Sequence, residues 1–465
     1  MTRLTVESST RNPFSVVDRE AVLLSHDGVF LRGVKDQLAL DLRHALSCGL
    51  INELFSSGLI PETKISDTTI DGYDLVLSHQ KLPFVSYPHE WSFSMLRDAG
   101  YLALEISEIA HKYGFRLKDP HSYNIVFSKN KPVFVDVGSL VRNETPPETP
   151  RISTYQEFLS CYYYPLYLWS KGDIYTARKW VQRWKIMTPV ESFVSYKFSF
   201  LPTYAKNLLT KLSSYDARLQ CYGNGRTFAG LADKIVRAIP FRNKPTTSAL
   251  RKKLEALKAP QIKSAWGEYH GMYDVKTQFH QRISKISDLV ADLSPASVVD
   301  IAGNQGVVIS EIMTRTSLSQ AICIDYDAQA IENGYLRAKH SSDINYAVVN
   351  PFYPECNNFE TQPSRRFPSE LVMALAVTHH LVLGQGYDID YIFTKVKEYS
   401  TRYVMIEFMP LGLYNSVARA GTPPPEWYTL AWFKKHFEVH FNLLKIIELE
   451  ENRVLFLGTR APSEG

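Results

Sequence analysis

The sequence contains little cysteine, and its cysteines show no pairing pattern. Five are scattered through 465 residues without a C-x-x-C pair: Cys48, Cys161, Cys221, Cys323 and Cys356. A disulfide framework or a structural zinc site needs closely spaced cysteines. The sequence therefore predicts neither of them, and it favours a reducing compartment.

Long apolar runs and a strong charge of one sign are absent too. No stretch reaches the roughly 18 apolar residues of a membrane span, and the first residues lack the apolar segment of a secretory signal. The net charge of +4 is too small to indicate a nucleic-acid-binding protein. We therefore expect a cytoplasmic protein with no membrane span.

A chain of 465 residues is too long for one ordinary hydrophobic core. The composition shifts at residues 191–258, which hold thirteen basic and four acidic residues. A solvated helical face explains such a stretch better than a nucleic-acid surface, which is the alternative. We place a domain boundary after this stretch, which predicts one domain at 1–262 and another at 263–465.

In the second domain, predicted strands and helices alternate from residue 283 onward. This alternation is typical of an α/β fold with a doubly wound parallel sheet. The last two strands, "NLLKIIELE" and "RVLFLGT", are joined by too few residues for a parallel connection, so they predict an antiparallel hairpin. Most dinucleotide-binding sheets do not end in this way.

The first predicted strand of this domain ends in "VVDIAGNQG", which departs from the dinucleotide pattern G-x-G-x-x-G. Ala302 and Asn304 replace glycines, while Gly303 and Gly306 are kept. Asp300 would repel a pyrophosphate but attract an ammonium or sulfonium group. The cofactor that this favours is S-adenosylmethionine (AdoMet), and the alternative is a tight turn without a ligand.

Polar residues also end the next two predicted strands. Asp325 ends "AICID", where a carboxylate accepts both ribose hydroxyls in nucleotide-binding α/β folds. Asn350 ends the third strand, where its side chain reaches an adenine, or else forms a turn before Pro351. A solvated Asp that opens a loop is the alternative for Asp325.

With these motifs in place, residues 263–465 resemble a class I AdoMet-dependent methyltransferase. "VVDIAGNQG", "ICIDYD" and "LVMALAVTHHL" are similar to the family's first motif, its ribose-binding motif and its fourth strand with the following loop. The resemblance implies a Rossmann-like sheet of seven strands that ends in an antiparallel hairpin. It also implies that Trp266 and Tyr269 belong to an aromatic lid over the cofactor.

Two histidines follow the fourth predicted strand, where the methyl acceptor of such an enzyme lies. A hydroxyl acceptor must lose a proton near neutral pH, and histidine has a suitable pKa. We favour His379 as this base, since His380 precedes an apolar run and is expected to pack. Glu407, which ends the fifth strand, is a second catalytic candidate, and simple loop capping is the alternative for either histidine.

The first domain contains a second motif, "KDPHSYNIVFSKNKPVFVDVG". Asp119 and Asn124 are five positions apart, and Asp136 follows twelve residues later, after a predicted hairpin. This resembles the catalytic core of protein-kinase-like phosphotransferases, in which such residues orient a hydroxyl and hold magnesium with ATP. The glycine-rich loop and the V-A-I-K strand of kinases are missing, and Lys35 and Glu53 are weak candidates for the nucleotide-binding pair. The resemblance implies an α+β domain with a helical extension at 153–260.

Together the two resemblances are to bacterial two-part enzymes of polysaccharide and nodulation loci, including host-specific nodulation methyltransferases. The resulting expectation is an AdoMet-dependent enzyme that O-methylates a saccharide or another small polar acceptor, with a degenerate kinase-like scaffold. One alternative is a bifunctional kinase and methyltransferase that uses ATP and magnesium. Another is a non-catalytic binding protein that retains both folds.

Overall fold

A computed structural model describes residues 3–6, 10–12, 19–145, 154–182, 202, 246–260, 264, 278–339, 343–356, 360–414 and 421–461. The predicted lid residues Trp266 and Tyr269 lie outside these ranges, as do most of the basic stretch and the predicted boundary at 262. Within the described ranges, none of the helices has both the length and the apolar content needed to cross a lipid bilayer.

The N-terminal half begins with a small antiparallel sheet. Its strand order is β2-β3-β4-β7-β5, and a separate parallel pair joins β1 to β6. Two helices, α1 and α2, lie between β4 and β5 in the chain. The bounds are Arg3–Leu4 (β1), Thr10–Arg11 (β2), Ala21–His26 (β3), Val29–Val34 (β4), Asp36–Ser47 (α1), Leu50–Ser56 (α2), Thr63–Ile65 (β5), Thr69–Ile70 (β6) and Leu75–His79 (β7).

The long helix α3 spans Phe93–Lys112. After it come β8 (Phe115–Leu117), β9 (Ile125–Ser128), β10 (Lys131–Phe134) and β11 (Leu140–Arg142). Strands β9 and β10 form the predicted hairpin, and β8 pairs with β11 around it. The helices that follow are α4 (Thr154–Phe158), α5 (Tyr164–Ser170), α6 (Ile174–Val181) and α7 (Thr247–Glu255), with a π-helical turn between α4 and α5.

The C-terminal half is a seven-stranded sheet with the order β14-β13-β12-β15-β16-β18-β17. The first five are parallel, while β18 runs antiparallel to both of its neighbours. The strands are β12 (Ser297–Ile301), β13 (Gln320–Asp325), β14 (Ile344–Val348), β15 (Ser369–Ala374), β16 (Ser400–Phe408), β17 (Phe441–Glu450) and β18 (Arg453–Arg460). The predicted parallel sheet with a closing antiparallel hairpin is confirmed.

Helices cover this sheet because its strands are apolar on both faces, as parallel strands usually are. They are α8 (Gln278–Leu293), α9 (Val307–Arg315), α10 (Ala328–Ala338), α11 (Pro363–Arg366), α12 (Ile389–Tyr399) and α13 (Leu430–His440). Counted in chain order from β12, the strand order is 3-2-1-4-5-7-6. The C-terminal half therefore has the class I methyltransferase fold.

The two halves share a buried interface. Buried apolar residues of both halves belong to one continuous cluster, and Phe84 stacks on Phe367 with ring centres 4.8 Å apart. Helix α3 packs on α10, where Tyr335 donates a 2.6 Å hydrogen bond to Asp98. Burial of apolar and polar groups across this boundary holds the N-terminal half at a fixed position against the sheet.

Candidate functional site

A cavity of about 210 Å³ opens at the carboxyl edge of the parallel strands. This edge is where doubly wound sheets bind ligands. The predicted cofactor residues that line the cavity are Asp300, Ala302, Gly303, Asn304, Asp325 and Asn350. Gly306 is not among the lining residues. It begins α9 in the left-handed region, at φ 70°.

The loop between β12 and α9 is bent sharply by two residues that replace glycines. Ala302 has φ 54° and Asn304 has φ 53°, which is the left-handed region that favours glycine. Ala376, across the cavity, has φ 51°. Such strain at non-glycine residues is concentrated at functional sites in proteins, and all three of these residues line the cavity.

Gly303 allows the Asp300 carboxyl group to lie directly against the loop. A Cβ atom at position 303 would be 2.8 Å from Asp300 Oδ2 and 2.9 Å from Cys323 Sγ. Neither neighbour is at the end of a long flexible side chain, so a larger residue would displace the carboxyl group. The glycine at this position is therefore required by the position of Asp300.

Asp300 is 2% exposed. Burial raises its pKa to about 8, and the neighbouring Asp325 carboxylate acts in the same direction, while Arg282 opposes the rise. A buried carboxyl group with so weak an acid character needs a cation to stabilise its ionised form. A ligand with an ammonium group would supply that cation.

Asp325 is also buried, but it is held by backbone amides. Asn304 N donates to Oδ2 at 2.9 Å and Asp327 N donates to Oδ1 at 2.8 Å. Burial raises the pKa of Asp325 to about 6 although these amides lower it. Each carboxylate oxygen has a second lone pair, so the pair of oxygens can also accept two hydroxyl groups.

Asn350 forms the turn that the sequence allowed as its alternative. Its Oδ1 accepts amides from Phe352 and Tyr353, both at 3.1 Å, in the loop of residues 349–355, here called the β14 loop. Because this oxygen already has two donors, the side-chain nitrogen is the atom suited to a ligand. It would donate to an acceptor such as a ring nitrogen of adenine.

Arg282, on α8, lines the cavity and was missed by the sequence analysis. Its Nε lies 3.6 Å from Glu407 Oε1, and the side chain is 7% exposed. Position 282 falls on the apolar stripe of α8 with Ile286 and Val290, both of which are buried. A charged residue on such a stripe was the signal that could have identified it.

His380 was expected to pack and His379 to face the acceptor, and the structure shows the opposite arrangement. His380 lines the cavity, whereas His379 is 5% exposed and is not among the lining residues. Burial lowers the pKa of His379 to about 2, with smaller contributions from His380 and Arg453. The preference for His379 as the base is therefore not supported by its position, and His380 is the histidine that an acceptor would meet.

Glu407 is likewise not on the cavity wall. It is fully buried, with Arg453 Nη1 at 3.0 Å from Oε2 and Arg282 on its other oxygen. Its backbone carbonyl accepts from the Thr378 hydroxyl at 2.8 Å, next to the histidines. The Glu407 carboxylate thus holds Arg282 and Arg453, and its carbonyl holds Thr378, so the side chain proposed as catalytic does not line the cavity.

The second motif is brought together at one end of the β9–β10 hairpin. Val135 N donates to Asn124 O at 2.8 Å, and Asn124 Nδ2 donates to Asp119 O at 3.2 Å. Asp136, the next residue, is paired with Arg32 Nη1 at 2.8 Å and accepts the Ser139 hydroxyl at 2.6 Å. Arg32, on β4, was not predicted.

Asp119 also has a protein partner. Burial and the neighbouring Asp119 carboxylate raise the pKa of Glu157, on α4, to about 9. Glu157 is therefore the protonated partner of Asp119 near neutral pH. The weak candidates Lys35 and Glu53 are not paired with each other, and the Glu53 carboxylate instead accepts the Tyr113 hydroxyl at 2.6 Å.

Among the described residues, no group of His, Cys, Asp and Glu side chains has the arrangement of a metal site.

No protein-family model matches the chain. Nodulation protein NoeA of Rhizobium meliloti (strain 1021) is 26% identical over 352 residues, which cover 72% of this chain and 71% of that protein. The N-methyltransferase NodS from Bradyrhizobium japonicum WM9 has a TM-score of 0.32 at 11% identity, over 41% of this chain and 100% of that chain. The 1,6-didemethyltoxoflavin-N1-methyltransferase of Burkholderia thailandensis has a TM-score of 0.31 at 11% identity, over 42% of this chain and 84% of that chain. Likenesses of this size do not decide the fold, which is established by the strand order and directions described above.

Proposed function

We propose that this protein is an AdoMet-dependent methyltransferase. The observation that carries the proposal is Asp300, a buried carboxyl group that faces a cavity at the carboxyl edge of the sheet. Its raised pKa favours a cationic ligand, and the neighbouring Asp325 offers acceptors for a ribose. A dinucleotide fits poorly here, since Ala302 and Asn304 replace glycines of the G-x-G-x-x-G pattern that binds a pyrophosphate.

The residues of the cavity suit the three parts of this cofactor. Asp300 would accept the ammonium group of the methionine moiety, and Arg282 would face its carboxylate. Asp325 would accept the ribose hydroxyls, and Asn350 would donate to the adenine. AdoMet supplies an electrophilic methyl group on a sulfonium, and the chain's task is to hold the acceptor in line with it.

We propose a hydroxyl group of a saccharide or of another small polar molecule as the acceptor. His380, Gln385 and Tyr387 line the acceptor side of the cavity. Burial lowers the pKa of His380, which keeps the imidazole neutral near pH 7 and able to accept a proton. One relative, NoeA, is named a nodulation protein, and the resemblance to enzymes of polysaccharide and nodulation loci supports a saccharide acceptor.

For the N-terminal half we propose the role of a scaffold and not that of a phosphotransferase. The carboxylates that would hold magnesium or orient a hydroxyl already have partners, Arg32 for Asp136 and Glu157 for Asp119. If the half is a scaffold, Asp136→Asn leaves methyl transfer intact. Loss of both ATP binding and methylation in this variant would favour the bifunctional alternative.

The test of the proposed function is titration calorimetry with S-adenosylhomocysteine (SAH), the demethylated cofactor product. We expect binding by the full chain and a loss of roughly 2–4 kcal/mol in Asp325→Ala, since two charge-assisted hydrogen bonds to the ribose are removed. Asp343→Ala is the matched control, because this exposed carboxylate pairs with Lys129 and directly precedes β14, at the opposite end of that strand from Asn350. A chain that binds no SAH would refute the proposal and favour the non-catalytic alternative.

With binding established, incubation with labelled AdoMet and fractionated cell extract identifies the acceptor. Label on a saccharide or a similar polar molecule supports the proposed class. Label on nucleic acid or protein would exclude it while leaving the methyltransferase activity in place.

A further inference from the structure

The β14 loop, which carries Asn350 into the cavity, is held at its first end by the N-terminal half. Arg178, on α6, donates its Nε to His89 O at 3.0 Å and its Nη2 to Val348 O at 3.3 Å. Val348 is the last residue of β14, two positions before Asn350. One guanidinium therefore joins a carbonyl of the N-terminal half to the strand end that begins the loop.

The other end of the loop is held by neighbours of the same arginine. The His89 ring nitrogen Nε2 lies 3.2 Å from Glu355 O, and Lys179 Nζ lies 2.6 Å from the Glu355 carboxylate. His89 itself is 4% exposed. Both ends of the β14 loop are thus fixed to one surface, formed by the Pro88–Glu90 turn and α6.

Between these two ends lie Asn350 and Phe352, both of which line the cavity. Their positions depend on the loop, since the Asn350 side chain closes a turn with the loop's own amides. Fixing a loop before the ligand binds removes the entropic cost of ordering it in the complex. Arg178 does not line the cavity, so its effect on a ligand must pass through this loop.

We propose that Arg178 is a positioning residue for the adenine end of the cofactor, so that the N-terminal half is part of the methyltransferase site. This inference rests on the proposed function. It assigns to the N-terminal half a role in cofactor recognition that is independent of any phosphoryl transfer at Asp119 and Asp136.

The test compares two ligands on the full chain by calorimetry. SAH carries adenine, while S-inosylhomocysteine carries hypoxanthine, whose ring N1 bears a hydrogen and cannot accept from Asn350. The unmodified protein should therefore prefer SAH. In Arg178→Gln we expect SAH binding to weaken by about 2- to 30-fold, the usual range for residues that act without touching the ligand. The ratio of the affinities for SAH and S-inosylhomocysteine should fall as well.

Arg116→Gln is the matched control. Arg116 also donates to two backbone carbonyls, Arg142 O at 2.8 Å and Thr145 O at 2.9 Å, but both lie in the N-terminal half. A general loss of stability would affect both variants, whereas a change in the ratio of the two affinities is expected for Arg178 alone. Arg178→Lys, which can hold one of the two carbonyls, should give an intermediate ratio and serves if Arg178→Gln does not fold.

An unchanged ratio in the Arg178 variants would overturn the inference, as would an unmodified protein that binds both ligands equally. These results differ from the failure of the proposed function, in which the unmodified protein binds neither ligand.

Discussion

At the scale of single residues, the cavity has an unusual balance of buried charge. Asp300, Asp325 and Glu407 are buried carboxyl groups, and the arginines beside them are Arg282 and Arg453. When all are ionised, the carboxylates outnumber the arginines by one. Burial is the main reason that Asp300 holds a proton so strongly, and the neighbouring carboxylates add to it. A ligand with an ammonium group would neutralise the excess negative charge.

A first prediction concerns the pH dependence of ligand binding. The pKa of Asp300 is raised to about 8 in the free protein, so at neutral pH most molecules must release a proton before an ammonium group can pair with the carboxylate. SAH affinity should therefore rise as pH increases toward 8 and then level off. Calorimetry in buffers of different ionisation enthalpy should show proton release near pH 7.

Asp300→Asn is the control for this pH dependence, since it keeps the shape of the side chain and cannot ionise. The variant should bind SAH more weakly and with little change between about pH 6 and 8. An equally steep profile in Asp300→Asn would assign the titration to another group, with Asp325 as the first candidate.

A second prediction separates the two histidines. His380→Ala should lower turnover by about 10²–10⁴-fold if a positioned base removes the acceptor's proton. Because burial lowers the pKa of His380, the rate of the unmodified protein should rise with pH and reach its plateau at a lower pH than an exposed histidine would give. His379→Ala should mainly reduce the free energy of unfolding, since its ring is buried and does not line the cavity.

Steady-state rates and urea unfolding on both variants check this assignment. If His379→Ala loses turnover without losing stability, the base is His379 after all. If neither variant changes the rate, positioning of the acceptor carries the reaction without a histidine base.

The sequence predicted some of these residues and missed others for a physical reason. Asp300, Asp325 and Asn350 lie at or within two residues of the ends of parallel strands, and these strand ends meet at one edge of the sheet. The histidines follow β15 at the start of a π-helical turn, His380–Gly384, whose side-chain directions match neither the helical nor the strand period. The ion pair of Arg282 with Glu407 joins α8 to β16, a contact that no local pattern reveals.

At the scale of helices and strands, the N-terminus of α3 is completed by the other half of the molecule. Its N-cap residue, Ser92, makes no side-chain cap hydrogen bond. Glu332, on α10, instead accepts Ser94 N at 2.9 Å and the Ser94 hydroxyl at 2.6 Å. A carboxylate at this position also interacts favourably with the helix dipole.

A third prediction follows for this cap. Glu332→Ala leaves a buried amide and a buried hydroxyl without their acceptor, so we expect a loss of about 1–3 kcal/mol in the free energy of unfolding. Glu311→Ala on α9 is the control, because Glu311 pairs with Arg315 on the exposed surface. Urea denaturation of the full chain compares the two.

If Glu332→Ala were as stable as Glu311→Ala, the cap would be dispensable and the helix would be held by packing alone. Helix α3 itself is easy to predict, because its twenty residues have apolar periodicity. The edges of the five-stranded sheet are not, since β2 and β5 have two and three residues, and so short a run has no measurable period.

At the scale of the whole molecule, the two halves on either side of the predicted boundary bury surface against each other. The composition placed a boundary at 262, but composition reports on linkers and not on the surfaces that two halves bury against each other. Glu90 and Arg366, 2% and 9% exposed, form an ion pair across this interface, with Arg366 Nη1 at 2.9 Å from Glu90 Oε2. The same guanidinium lies 4.2 Å from the centre of the Tyr87 ring.

The last prediction uses this pair to ask whether the halves fold as one unit. Burial disfavours the charge of Glu90, but the Arg366 guanidinium outweighs this effect and holds the pKa of Glu90 below its ordinary value. The pair therefore stabilises the protein at neutral pH. That stability is lost as pH falls through the lowered pKa of Glu90. Glu90→Gln leaves a buried arginine without its counter-charge, which we expect to cost about 3–5 kcal/mol. Glu370→Gln, at the exposed pair with Arg402, should change stability little.

Hydrogen exchange in increasing urea distinguishes a local from a global effect. Peptides from the β9–β10 hairpin and from β12–β13 should lose protection at the same urea concentration, and Glu90→Gln should shift both transitions together. Two separate transitions, with one unmoved by Glu90→Gln, would show that each half folds independently. In that case the N-terminal half would be a separately folding domain, and the contacts of Arg178 with the β14 loop would not couple the unfolding of the two halves.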